Sequence, residues 1–397
     1  MAIFKYHENP PTAGLPIIWQ DWFAKNENLA QRISIMFNLP PLELTCSGTI
    51  ALVAALNTLK KLYPKRQQVV IPAYTCPLVA LAIHHCGLKI VLCDLAKDSF
   101  EFDLKQLSEL MSEDVLAVIP THLGGRVADV QQVKNLAIVY QITVIEDAAQ
   151  ALGANVGTTG DIVFFSLAVG KGLTLYEGGL VSATDPILRQ KLAETISTIP
   201  KSLIWEFRRL IELFGYTALY NPVGLHFVYG KGRRHALNHN KLIEAVGDDF
   251  DFNLPYHQVS YFRQKIAANA TKRLPDFLLL TRKQALRRIE QLQMIPTIKI
   301  ITDGQNYIGT WPFLMVLLPN KIARDRILKQ LWKGPLGVSR LFIYSLPHYH
   351  YLTQVVPQKV MPNAEDFAER MLTITNSLYL TDAEFDLILQ TISQAIQ

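Results

Sequence analysis

Asp147 ends an apolar strand in the run VIEDAAQALGA. Lys171 stands between Gly170 and Gly172, in a loop that follows a second apolar strand, IVFFS. A carboxylate and an amine presented by two neighbouring strand ends can hold pyridoxal 5'-phosphate from both sides. The amine condenses with the aldehyde. The acid pairs with the pyridine nitrogen and keeps it protonated, which makes the ring an electron sink. The lysine must shed its proton to react, and desolvation with a nearby cation lowers an ammonium pKa. Taken singly, a lysine is an ordinary solvated side chain and an acid at a strand end an ordinary turn residue. The other parts of such a site must therefore be sought along the chain.

A phosphate handle is present in TCSGTIAL, where a strand turns through Gly48 into a helix. The first N–H groups of a helix lack internal partners and lie at the positive end of its dipole. Gly48 lets the backbone approach an anion, and Ser47 or Thr49 adds a hydroxyl. Alone, Ser47 or Thr49 reads equally as a plain helix cap. Gln150 lies among small residues after Asp147, where it reaches a cofactor's ring oxygen or is simply a surface amide. Ser166 closes IVFFS as a phosphate ligand or as a strand residue bonded to its neighbours.

The elements that must position these residues follow from periodicity. Strands are expected at 42–46, 68–71, 89–93, 115–119 and 142–146. Helices are expected at 26–38, from Ser47 onward, at 76–86, 104–111 and 130–140. Such alternation predicts a mostly parallel sheet covered on both faces. Ligands of such sheets sit beyond the carboxyl ends of the strands, where Ser47, Thr75, His122, Asp147 and Ser166 fall. Beyond residue 195 the character changes. Residues 201–220 read as an aromatic-rich helix, followed by a basic run at Lys231, Arg233 and Arg234. The pattern is helical again over 260–292. A smaller α/β unit closes the chain, with a strand at 312–318, helices at 320–332 and from Asp382, and an irregular stretch GVSRLFIYSLPHYHYL between them.

The 397 residues suggest two domains. With 49% hydrophobic and 18% charged residues the chain can bury a large core. A net charge of +5 fits an anionic ligand but is too weak and dispersed for nucleic acid. Cys46, Cys76, Cys86 and Cys93 form neither a CxxC pair nor a zinc pattern and read as reduced thiols of a cytoplasmic protein. No metal site is expected. The start, MAIFKYHENPP, lacks a signal-peptide pattern, and the apolar run from Trp311 to Leu318 is too short to span a bilayer.

Several pieces in order resemble the DegT/DnrJ/EryC1/StrS family of pyridoxal phosphate-dependent sugar aminotransferases, of the aspartate aminotransferase superfamily. They are SGTIAL, IPAYT, THLGG followed by Asp129, EDAAQALGA, Gly160-Asp161, FFSLAVGK and EGG. The resemblance is good over about 40–185 and looser beyond. It implies an α/β, three-layer fold type I, with a mostly parallel central sheet in a large domain (1–255) and a smaller C-terminal α/β domain (256–397). It implies pyridoxal 5'-phosphate as cofactor and a homodimer. Lys171 matches the lysine bonded to the cofactor, Asp147 the acid on the ring nitrogen and Gln150 the glutamine beside the ring hydroxyl. Ser166 matches a phosphate-contacting serine, Gly48 and Thr49 the phosphate-binding helix start. His122 lies on the cofactor side of the sheet or is a core histidine held by backbone.

There are departures. Where the family stacks an aromatic residue on the ring stands Cys76, so either its thiol packs there or Tyr74 shifts to cover the ring. The family's asparagine-tyrosine-arginine segment, which reaches the neighbouring subunit's phosphate, is replaced at Tyr256, His257 and Gln258. The segment 195–245 is an atypical insert. Its helix packs on the core or on a dimer partner. Alternatively it lies at a membrane, with Trp205, Phe207 and Phe214 inserted and Arg208, Arg209, Arg233 and Arg234 near headgroups, which would put a cytoplasmic protein at the inner membrane surface through 201–234. In the closing unit, Arg340 and His348 stand out; arginine suits a substrate carboxylate or phosphate, or a surface ion pair. The expected reaction aminates a keto sugar, nucleotide- or carrier-linked, with an amino-acid donor such as L-glutamate. Two rivals are a sugar dehydratase of the same fold, in which histidine replaces the lysine, and a non-catalytic regulator or scaffold.

Overall fold

The computed structural model describes residues 6–23 and 27–396. Asn26, the first position of the expected helix 26–38, and the first five residues, where a signal pattern was sought, lie outside them. A seven-stranded sheet contains β1 (Glu43–Thr45), β2 (Gln68–Pro72), β3 (Lys89–Cys93), β4 (Val115–Val118), β5 (Thr143–Asp147), β6 (Ile162–Ser166) and β7 (Gly179–Ala183), in the order β1-β7-β6-β5-β4-β2-β3. Strands β2 to β6 pair in parallel. The helices α1 (Leu29–Met36), α2 (Gly48–Leu62), α3 (Pro77–His85), α4 (Leu104–Leu110), α5 (Val130–Ala137) and α6 (Pro186–Ser197) alternate with them. β7 runs antiparallel to β6, and β1 to β7. The β6–β7 connection forms the loop that carries Lys171. The expected helix 130–140 ends early. It tightens to a 3-10 turn over Ile138–Tyr140 and stops at Gln141, whose φ is +54°.

The strands are buried nearly end to end, as a sheet covered on both faces requires. Helix α2 packs its apolar residues Ile50, Ala51, Val53, Ala54 and Leu56 into the same core as Ile71, Ile145, Phe165 and Leu180.

Beyond α6 come α7 (Leu203–Leu219), α8 (Pro222–Leu225), α9 (Lys231–Asn238), α10 (Leu242–Val246), α11 (Tyr261–Ala270) and α12 (Leu274–Gln293). Helix α7 turns Glu206, Leu213 and Tyr216 inward, while Leu203, Ile204, Phe207 and Phe214 face outward at 87%, 84%, 68% and 54% exposure. Trp205 is stacked on His257 with ring centroids 5.8 Å apart. Arg209 pairs with Glu177 and Glu212, and Arg233 and Arg234 both pair with Glu8. Trp205, Arg209, Arg233 and Arg234 thus serve contacts within the chain, and only part of the set read as membrane-facing is on the surface.

The closing unit is a four-stranded antiparallel sheet, β10 (Val338–Ser339), β11 (Met371–Thr375), β9 (Phe313–Leu317) and β8 (Lys299–Ile301), in that order. It carries α13 (Lys321–Leu331), α14 (Pro362–Arg370) and α15 (Asp382–Ile396). A second hydrophobic core forms here around Trp311, Leu314, Val316, Ile374 and Phe385, and Ala236 and Leu237 of α9 join it. The beginning of the chain is woven across both units. Glu8 N donates to Pro222 O, Asn9 N to Pro335 O, Ala13 N to Pro312 O and Leu15 N to Gly172 O. Among the described residues no helix is long and apolar enough to cross a membrane.

Candidate active site

The carboxyl ends of β5 and β6, the start of α2 and the Lys171 loop open into one cavity of about 380 Å³. Gly48, Thr49, Cys76, His122, Asp147, Gln150, Ser166 and Lys171 all line it. Ser47 does not. Its hydroxyl accepts the Ile50 N–H at 3.1 Å and caps α2. That leaves the N–H groups of Gly48 and Thr49 without a partner in the helix, an anion-binding geometry. Gly48 is held tightly: a Cβ there would lie 3.0 Å from the Cβ of Ser166. Gly170 has φ +80°, and a Cβ on it would lie 2.3 Å from Thr12 Oγ1, so only glycine gives this path to the lysine loop.

Asp147 is buried. One oxygen, Oδ1, accepts the Ala149 N–H at 3.1 Å. Burial raises its pKa, opposed by that bond and by the charges of Lys171 and His122. Burial likewise lowers the Lys171 pKa, opposed by Cys76 and Asp147. Both groups are thus pushed toward their neutral forms, and a charged ligand group between them would restore the carboxylate. The Cys76 thiol lies on the cavity wall, and burial pushes it up to about 12, so it stays protonated. Tyr74 has not shifted to cover a ring. It is buried against Phe342 and Phe367, and its hydroxyl donates to Phe342 O.

Gln150 is no free surface amide. Its Oε1 accepts the Gly124 N–H at 2.8 Å, which turns the NH₂ group outward as a donor. Ser166 Oγ accepts the Ala168 N–H at 3.3 Å, and its proton remains free to donate. His122 is buried and spends both ring nitrogens on the protein. Nδ1 accepts the Ala128 N–H at 3.0 Å, so Nε2 carries the proton and donates to Glu146 at 3.0 Å. It offers the cavity a ring face, not a free nitrogen.

Glu146 was not singled out in the sequence. Its carboxylate also accepts N–H groups from Gly157, Thr159 and Gly160, tying the loop before β6 to the strand that ends in Asp147. Other lining residues come from the start of the chain, Thr12, and from its second half, Tyr229, Asp248, Phe250, Arg340 and Phe342. Arg340 is buried, with Nη2 donating to Ile343 O and Ala368 O and Nε without a partner. His348 is exposed, bonds Ser345 and stays outside the cavity. His257 is fully buried beside Glu206, and Gln258 donates to Ile199 O, so the 254–260 segment is spent on its own subunit.

The donor set fits pyridoxal 5'-phosphate. A buried carboxylate with an open oxygen, an amine, free helix N–H groups with two hydroxyls beside them, and an amide donor line one cavity. Residues 44–200 match the model of the DegT/DnrJ/EryC1/StrS aminotransferase family. Over longer spans the similarity is lower. A dTDP-4-amino-4,6-dideoxy-D-glucose transaminase of Shigella dysenteriae is 21% identical, covering 96% of this chain and 94% of its own. A GDP-perosamine synthase of Caulobacter vibrioides is 32% identical, but over only 32% of this chain and 35% of its own length. Among solved structures, the PMP-form of Spr1654 from Streptococcus pneumoniae has a TM-score of 0.73 at 18% identity, covering 98% of both chains. DesI with its TDP-sugar product also has 0.73, at 16% identity, covering 99% of this chain and 94% of that one. The fold of these structures is therefore shared across nearly the whole chain.

Proposed function

We propose that this chain is a pyridoxal 5'-phosphate-dependent aminotransferase that converts a nucleotide- or carrier-linked keto sugar to an amino sugar, with L-glutamate as donor. The observation that carries the reading is the single cavity that Lys171, Asp147, Ser166, Gln150 and the start of α2 line together. When bound, the cofactor supplies an aldehyde for amines and a ring that accepts an electron pair. The chain's residues do the rest. Gly48, Thr49 and Ser166 hold the phosphate. Asp147 accepts the proton-bearing ring nitrogen. Gln150 donates to the ring oxygen. Lys171, with its pKa lowered by burial, would hold the cofactor's aldehyde. Its Nζ would also serve as the general base for the proton on the donor's α-carbon and as the general acid that delivers that proton to the cofactor's former aldehyde carbon. Arg340, which lines the same cavity, suits the donor's carboxylate or a substrate phosphate. Lysine at 171 speaks against the dehydratase alternative.

A panel of nucleotide-linked keto sugars incubated with L-glutamate and the holoprotein, read by mass spectrometry, tests the reaction. An amino-sugar product with matching 2-oxoglutarate supports it. A colourless protein that takes up no cofactor would end it. The reading includes a cytoplasmic homodimer, and the outward apolar face of α7 suits either a second copy or the inner membrane surface.

A further inference from the structure

The cavity that the cofactor residues line also holds a carboxylate that the proposed chemistry does not use. Asp248 follows α10 and lines the cavity with Tyr229, Phe250, Arg340 and Phe342. Its Oδ2 is fixed by two donors, the Tyr349 hydroxyl at 2.6 Å and the Ile343 N–H at 2.9 Å. The Tyr351 hydroxyl binds its backbone carbonyl. The Tyr349 hydroxyl oxygen in turn accepts the N–H groups of Ile343 at 3.0 Å and Tyr344 at 3.4 Å. Asp248 Oδ1 meets no donor among the described residues, and no cation pairs with it there. Arg340, the nearby guanidinium, spends Nη2 on the carbonyls of Ile343 and Ala368.

A buried carboxylate is an acceptor with several lone pairs and is costly to leave half satisfied. Two bonds to Oδ2 aim this one and a third holds its backbone, so the open oxygen is a placed feature of the cavity. The aromatic rings beside it offer apolar faces. An acceptor-only group among rings matches a polyol, whose hydroxyls donate and whose C–H faces are apolar. It does not match the carboxylates of an amino-acid donor, which it would repel. We propose that Asp248 is a specificity-determining residue that accepts hydrogen bonds through Oδ1 from the hydroxyls of the sugar substrate. This rests on the sugar aminotransferase reading.

Titratable and charged groups near Asp248 are Tyr74, Cys76, Asp249, Arg340, Tyr349 and Tyr351. Burial pushes the Asp248 carboxyl up to about 6, held back by the bonds from Tyr349 and Ile343 and the charge of Arg340. The ionised form is the better acceptor, so sugar binding weakens as the pH falls through that value.

The test is calorimetric titration of the holoenzyme with UDP-glucose, dTDP-glucose and GDP-mannose at pH 7.5 and 5.5. Wild type, Asp248→Asn and Tyr349→Phe are compared, with melting temperatures as a fold control. Wild type should bind at least one probe and bind it more weakly at pH 5.5. Asp248→Asn should bind that probe ~10–100-fold more weakly at pH 7.5, as losing a hydrogen bond to a charged group implies, and lose the pH dependence. Tyr349→Phe should move the pH midpoint upward, because the phenol that holds the carboxyl down is gone. Equal affinity in Asp248→Asn, or an unmoved midpoint in Tyr349→Phe, overturns the assignment and leaves the aminotransferase reading intact. No binding of any probe by wild type overturns the nucleotide-sugar reading, and this assignment with it.

Discussion

Removing the Lys171 amine takes away both the group that bonds the aldehyde and the base for the donor's α-proton. Lys171→Ala should lower kcat by ~10²–10⁴-fold for the proton transfer alone. Its absorption spectrum after dialysis should lack the band of lysine-bound cofactor; a retained band would contradict the assignment. Glu146 acts at one remove. Burial pushes its carboxyl up, but His122 and the N–H groups of Gly160 and Gly157 outweigh that and hold it below 4.5. A carboxyl depressed in the fold stabilises it above the unfolded value, and the gain is lost as the pH falls through the folded one. Glu146→Gln should therefore cost about 1–3 kcal/mol at pH 7, and the gap in melting temperature should narrow on acidification below pH 4.5. Asp248 has the opposite sign: its raised carboxyl weakens the fold as the pH rises toward about 6. Asp248→Asn should then melt no lower than wild type at pH 7.5. Lys171, Asp147 and Gln150 were legible because their neighbours in sequence are also their neighbours in the site. Glu146 was not, since the Gly157–Gly160 turn that gives it meaning folds back from later in the chain.

At the scale of elements, the start of α2 divides its labour. Ser47 closes the helix, whereas Thr49 and the free N–H groups face the cavity. Ser47→Ala should cost about 1 kcal/mol of stability and leave cofactor retention near wild type. Thr49→Val and Ser166→Ala should weaken cofactor binding several-fold instead. Equilibrium dialysis beside thermal melting separates the two effects. The parallel strands β2 to β5 were readable because each is an apolar run bounded by turns and spaced by a helix. Of the closing sheet only β9 was, as the run 312–318. β8 and β10 hold three and two residues, too few for any period. β11 begins directly after α14, so no turn residue marks its start. The length of α5 was overread because Gln141 turns left-handed without a glycine to announce it.

For the whole molecule, the cavity is closed by residues drawn from Thr12 to Thr373, and the half that looked least familiar supplies the wall opposite the cofactor. That wall was illegible in sequence because Tyr229, Asp248 and Arg340 meet only through tertiary packing. The outward face of α7 extends to Trp19, whose ring lies 5.1 Å from Phe214. Replacing Phe207 and Phe214 with glutamate should leave the fold stable, because both are exposed. If a second copy covers the face, light scattering should show the dimer breaking. If a lipid surface does, flotation with anionic vesicles should be lost while the mass in solution stays unchanged.

The segment from Glu8 to Leu15 touches Gly172, Pro222, Pro312 and Pro335. Those positions leave the ribosome long after it does. The segment must therefore wait for these partners until they have emerged, and it docks late in assembly. A fusion partner joined close to that end would burden the maturation of the catalytic centre, even though it lies far from Lys171 in sequence.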